Sequence, residues 1–184
     1  MDYNHQTLAA ARAKWRYRGQ RRPPGAKSPG PGELSVWDFT RPPNLRSDPR
    51  EVRVLWQHLP VAESTRAVRV CETAGPPTWY LPAEDIIWTL VTPLPKRSVC
   101  EWKGTAHWFD VGQGEERLRA AAWCYPQPFA GNDAIAGRLA FYPHQLECLV
   151  AGERVRPQPG SLYGGWVTPE ISGPFKGAPG TEWW

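Results

Sequence analysis

Proline sets the limits on this chain. Its 184 residues include 21 prolines spread over most of the length, more than twice the usual share of ~5%. Each proline fixes φ and removes a backbone donor, which excludes long helices and coiled coils. Eleven Trp, six Tyr and five Phe argue equally against a disordered chain, because such chains are poor in large apolar rings. Short strands and turns folded around an aromatic core satisfy both constraints. The length suits one domain rather than two.

The formal net charge of +4 suggests nucleic-acid binding until it is divided along the chain. Residues 1–27 hold Arg12, Lys14, Arg16, Arg18, Arg21, Arg22 and Lys27 against Asp2 alone, whereas residues 28–184 carry 15 basic and 17 acidic side chains. The body of the protein therefore has no positive field to draw in phosphate. Any contact with RNA, DNA or an anionic surface belongs to the leader, which otherwise reads as a solubilising extension. There is no run of about 18 apolar residues, and the residues after Met1 lack the charged, apolar and cleavage regions of a secretory signal. A soluble, cytoplasmic protein without a membrane partner is expected.

Cys71, Cys100, Cys124 and Cys148 stand more than 20 residues apart, with no CxxC or CxxH pair. The adjacent pairs typical of a zinc ribbon are missing, so no metal site is expected. In a reducing compartment these thiols read as small buried apolar groups.

Composition divides the chain into residues 1–32, a basic, flexible leader with a short helix at residues 6–18 and a Pro-rich linker, and residues 33–184, a β-domain. Alternating apolar residues predict strands at residues 51–57, 61–63 and 66–72, an extended piece at 78–81, and a segment at 86–91 reached through the turn at 82–85. In residues 66–72 (RAVRVCE), Val68 and Val70 mark the core side, and Glu72 then points inward. A carboxylate at the end of an apolar face is expected to hold a cationic or donor partner. Residues 98–110 and 117–125 read as antiparallel strands joined by the polar turn 112–116, with further strands at 138–142 and 146–150. The Pro/Gly-rich end, residues 157–184, carries Tyr163, Trp166, Phe175, Trp183 and Trp184. It is expected to wrap over the domain as irregular structure.

The strand RAVRVCE and the segments PPTWYLPAEDI, CEWKGTAHWFDV, AAWCYPQP and IAGRLAFYP together resemble the DUF427 family, a family without an established function. SVWDFTRPP and the tail GERVRPQPGSLYGGWVTPEISGPFKGAPGTEWW resemble its longer subfamily. The resemblance implies a mainly-β, compact single-domain β-barrel or β-tent-like (Mss4-like) fold. Positions that match the family pattern include Ser64, Arg66, Glu72, Tyr80, Asp85, Cys100, Lys103, Gly104, Trp123, Tyr125 and Gly137. His107 and Trp108 occupy the region where the family carries a Tyr. A nucleotidyltransferase label sometimes attached to the family finds no residues here: no Asp-x-Asp pair exists to hold two Mg²⁺, and there is no P-loop or GxGxxG. No motif indicates a cofactor.

Glu72, Asp85 and Lys103 are the charged residues expected to converge with Tyr80, Trp123 and Tyr125, with Arg66 and Cys100 as further contacts. Rings supply burial and charges supply orientation, so the expected function is binding of a small polar ligand in an aromatic-lined pocket. Three alternatives stand beside it: an enzyme using Glu72 or Asp85 as acid–base and Lys103 as electrostatic stabiliser, an interaction module working through the leader, and a purely structural Glu72–Lys103 ion pair. Cys100 would need a nearby Lys103 or His107 to become a thiolate. An ideal strand puts it on the opposite face from both, unless a bulge at Lys103-Gly104 reunites them. Edge strands leave pairing between subunits open.

Overall fold

Alternation of buried and exposed residues, clearest in VRVLW at residues 52–56, carries through into the tertiary structure. A computed structural model describes residues 5–26 and 28–184, without the His5 side chain; residues 1–4 and Lys27 of the basic leader lie outside the described residues. A helix α1 (His5–Ala13) precedes β1 (Leu34–Ser35), β2 (Asn44–Asp48), β3 (Val52–Trp56), β4 (Leu59–Ser64), β5 (Ala67–Cys71) and β6 (Thr78–Leu81). Then come β7 (Val91–Cys100), β8 (Gly104–Val111), β9 (Leu118–Cys124), β10 (Leu139–Phe141) and β11 (Glu147–Val150). Four two-residue strands end the chain: β12 (Glu153–Arg154), β13 (Arg156–Pro157), β14 (Trp166–Val167) and β15 (Ile171–Ser172).

Seven strands pair antiparallel in the order β2-β5-β6-β10-β9-β8-β7, and four more in the order β12-β11-β3-β4. The fold is mainly β, but β2 and β7 are ends of an open sheet, so the barrel is not closed. Pro93 and Pro95 lie in β7, where the register breaks between Pro93 and Arg97. Proline is tolerated at an edge because the outer side of the strand needs no donor.

The two faces of the seven-stranded sheet bury different things. Trp79, Leu81, Leu139 and Phe141 pack with Val52, Val54, Cys148 and Val150 of the four-stranded sheet in the main core. Alternate residues of the same strands, Val68, Val70, Tyr80, Trp123 and Ala140, form a second cluster on the other face. The valine side of β5 is thus buried, although in this second cluster rather than between the sheets. Its opposite side is also covered, since Arg69 lies over the Trp79 ring.

The expected strand 98–110 is in fact the end of one strand and the start of another. Cys100 pairs with Gly104 across a turn at residues 101–103, and Gly104 takes φ +106°, a value that glycine adopts without strain. The expected extended segment 86–91 is largely a 3₁₀ turn, Trp88–Leu90, before β7 begins. The β8–β9 hairpin has its turn where the polar residues 112–116 predict it.

The Pro/Gly-rich end folds back over the domain. β15 pairs with β1 and β14 with β13, Trp166 is fully buried and donates through Nε1 to Phe141 O at 3.0 Å, and Trp184 packs edge-on against Trp37 at 5.2 Å. The described part of the leader lies against the same body: Leu8 and Tyr17 are buried, and Tyr17 meets Trp37 edge-on at 5.3 Å. Aromatic anchors at both ends of the chain converge on one place.

Candidate functional site

The second cluster is left partly uncovered, and that opening is a cleft of about 820 Å³. Pockets for small molecules fall in the range of roughly 300–1,000 Å³. The wall is aromatic. Trp123 meets Tyr142 at 4.7 Å and Trp108 at 5.9 Å, and Trp108 stacks on Tyr142 at 6.1 Å and 12°. Tyr80 accepts a hydrogen bond from Trp123 Nε1 at 3.2 Å and lies beside Tyr125 at 6.3 Å. Tyr80, Trp108 and Trp123 arrive from β6, β8 and β9 on the same side of the alternation, and Tyr125 and Tyr142 follow immediately after β9 and β10. Trp108, where the family pattern departs, therefore faces the cleft in place of His107, which pairs opposite Arg97.

One end is charged. Glu72 immediately follows β5, Lys103 closes the β7–β8 turn, and Lys103 Nζ donates to Glu72 Oε2 at 3.1 Å. Arg41 Nε donates to the other oxygen, Oε1, at 3.0 Å. The rest of the Arg41 guanidinium donates to Tyr17 O at 2.7 Å, Trp184 O at 2.8 Å and Thr73 O at 2.8 Å. A single buried guanidinium thus ties together the leader, the tail and β5. Burial works against the Glu72 charge, but Lys103 and Arg41, by charge and by hydrogen bond, hold its carboxyl down from 4.5 to about 2. Burial also opposes the Lys103 charge, and Cys100 and Glu72 outweigh it, keeping that ammonium well above its ordinary value.

A further lysine stands beside this group. Lys176 is only 3% exposed, and its backbone is fixed by N–H donation to Ala74 O at 2.8 Å and by Gln158 Nε2 donating to Lys176 O at 2.8 Å. Its Nζ lies 3.4 Å from the centre of the Trp15 ring and 4.6 Å from that of Tyr163. Burial and then the Arg41 charge pull its pKa from 10.5 to about 7. Trp15 itself sits under the Arg41 guanidinium at 4.3 Å and donates through Nε1 to the Glu101 carboxylate.

Six of the eight sequence-predicted residues come together here: Glu72, Lys103, Tyr80, Cys100, Trp123 and Tyr125. Cys100 and Lys103 reach the same cleft through the turn rather than a bulge. Burial pushes the Cys100 thiol up despite Lys103. Arg66 and Asp85 stand apart from the cleft and pair with each other at 2.6 Å, with Glu84 on the same guanidinium at 3.0 Å. Arg41, Lys176 and Trp15 escape sequence reading, because they lie in irregular segments with no alternation to assign a face. Their only signal is the cluster of aromatic and basic residues at the two ends of the chain.

Fold and site define a class: a mainly-β domain with an open seven-stranded antiparallel sheet, one face of which carries an aromatic cleft closed at one end by an Arg–Glu–Lys cluster. The family model of the domain of unknown function DUF427 matches residues 44–152, and the chain belongs to that family. Glu72, Lys103 and the rings of the cleft wall fall within the matched residues, whereas Trp15, Arg41, Tyr163 and Lys176 lie outside them. No curated protein matches the chain.

Proposed function

We propose that this protein binds a small polar ligand in the aromatic cleft, with Trp123, Trp108 and Tyr142 as the apolar wall and the Glu72 cluster fixing the ligand's orientation. The observation that carries this reading is the joining of ring faces and charged groups in a single opening of about 820 Å³. Rings give burial at low entropic cost, and buried charges discriminate between ligands by the price of leaving them unmatched. Binding is favoured over acid–base catalysis. A carboxyl held at about 2 stays ionised at neutral pH and is a weak proton acceptor.

The test is a metabolite library screened by thermal shift and intrinsic Trp fluorescence on the full chain. A hit whose affinity falls in Lys103→Ala and Trp123→Ala supports the reading. A hit indifferent to both substitutions puts the binding site elsewhere, and turnover of the hit, lost in Glu72→Gln with binding retained, would make the protein an enzyme.

A further inference from the structure

The charges lining the cleft do not cancel. Arg41, Lys96, Lys103, Arg119 and Lys176 face two carboxylates, Glu72 and Glu101. Glu72 is taken up by Arg41 and Lys103, Arg119 NH1 pairs with Asp110 at 2.9 Å, and Lys96 lies over the Trp108 ring at 4.1 Å. Lys176 is the buried cation left over. Among the described residues its ammonium forms no ion pair and donates no side-chain hydrogen bond; it lies over the faces of Trp15 and Tyr163, with Arg41, Glu72, Glu101 and Lys103 near enough for their charges to act on it. Lysines are almost never this buried without a partner, because ring faces replace only part of the lost hydration. The space left for a partner is the cleft itself.

Building on the reading of the cleft as a ligand site, we propose that Lys176, held between Trp15 and Tyr163, receives the anionic end of the ligand, and that the ligand is a small planar organic oxyanion, a carboxylate or a phosphate ester. The neighbouring cations reinforce this choice. Three cations, Arg41, Lys103 and Lys176, meet two carboxylates, Glu72 and Glu101, at this end of the cleft, so one positive charge is left over; a cationic ligand adds to it and a neutral one leaves the ammonium unmatched. The planar body follows from the wall, where the ring of Trp108 is stacked on Tyr142 and Trp123 is tilted against both. Trp15 comes from the leader and Lys176 from the tail, so this seat is assembled from the two segments that flank the matched domain.

The experiment titrates the full chain with four probes of one shape and different charge: benzoate, phenyl phosphate, benzamide and benzylamine, followed by Trp fluorescence. The expected result is that the two anions bind and benzylamine does not, with Lys176→Met weakening the anions by about tenfold or more while leaving benzamide unchanged. The order of benzoate and phenyl phosphate identifies which oxyanion the seat prefers. Equal binding of anion, neutral amide and amine overturns the proposal, as does a Lys176→Met chain that binds the anions as tightly as the parent. Because the comparison of charges is made on the unaltered protein, a misfolded variant does not decide the outcome. Should benzamide bind and the anions fail, the anion seat falls while the cleft stands; should neither these probes nor the metabolite library bind, the cleft reading itself falls.

Discussion

Lys103 Nζ lies 3.1 Å from Glu72 Oε2, joining residues 31 apart in the chain across the mouth of a hairpin turn. Their side chains are 12% and 24% exposed, so the pair is largely removed from water. Removing one partner of such a pair leaves the other charge buried and unmatched. The two partners are not equivalent, because Glu72 has a second cation in Arg41 while Arg41 and Lys103 share one carboxylate. Glu72→Ala is therefore expected to cost about 2–3 kcal/mol, and Lys103→Met clearly less. Urea denaturation of both variants checks the order, and a larger loss in Lys103→Met would contradict it.

Acid should weaken the fold through the same carboxylate. The folded pKa of Glu72 is lowered from 4.5 to about 2, so its contribution to stability is fully present above its unfolded value and is lost as pH falls toward about 2. The full shift corresponds to at most about 3 kcal/mol. A series of denaturation midpoints from neutral pH downward should fall more steeply in the parent than in Glu72→Gln.

Lys176 should act with the same sign of slope, in a window at higher pH. Its folded pKa is lowered from 10.5 to about 7, chiefly by burial and the charge of Arg41, with Lys103 in the same direction and Glu72 and Glu101 opposing. The unfolded chain then binds more protons than the folded one between those values, and stability rises with pH across that window. Lys176→Met is expected to stabilise the protein near neutral pH and to lose that advantage above about pH 10. Midpoints measured at both ends of the window test it.

Gly164 of the tail lies flat against the Trp123 ring: a Cβ there would stand 2.2 Å from Trp123 Cη2. Trp123 is itself buried among Tyr80, Trp108 and Tyr142 and has little room to retreat. Gly164→Ala should cost about 1–3 kcal/mol and shift the Trp emission of the cleft wall.

The leader should be part of the folded unit. Arg41 donates to Tyr17 O, and the Tyr17 ring is buried against Trp37. Tyr17→Ala is expected to lower stability by about 3 kcal/mol, whereas Arg16→Ala, on an exposed neighbour, should be nearly neutral. Thermal unfolding of the two variants separates a docked leader from a loose one.

Much of the sheet is legible in the sequence itself. RAVRVCE shows its strand through period two, and the hairpin β8–β9 shows itself through a polar, glycine-bearing turn between two alternating runs. β7 was hidden because Pro93 and Pro95 speak against a strand, which holds for a central strand and fails at an edge. The turn at residues 101–103 was hidden because CEWKG contains one glycine and no proline, so alternation ran straight through it. Arg66 and Asp85 matched the family pattern together with Glu72 and Lys103, yet they answer to each other, as an ion pair outside the cleft.

Local chemistry thus determined the kind of protein this is. Prolines forbid long helices, alternation selects strands, and the parity of Val68, Val70 and Glu72 assigns their side of the sheet, because each of these depends on neighbours along the chain. Which side of the sheet would stay open, and that Arg41, Trp15 and Lys176 would close one end of it, was decided only by tertiary structure. Those residues gather through contacts between distant parts of the chain, such as that from Arg41 to Trp184 O, 143 residues apart, and the still longer one from Lys176 to the Trp15 ring. Contacts of that span come from packing the two chain ends over the sheet, and no local pattern encodes them.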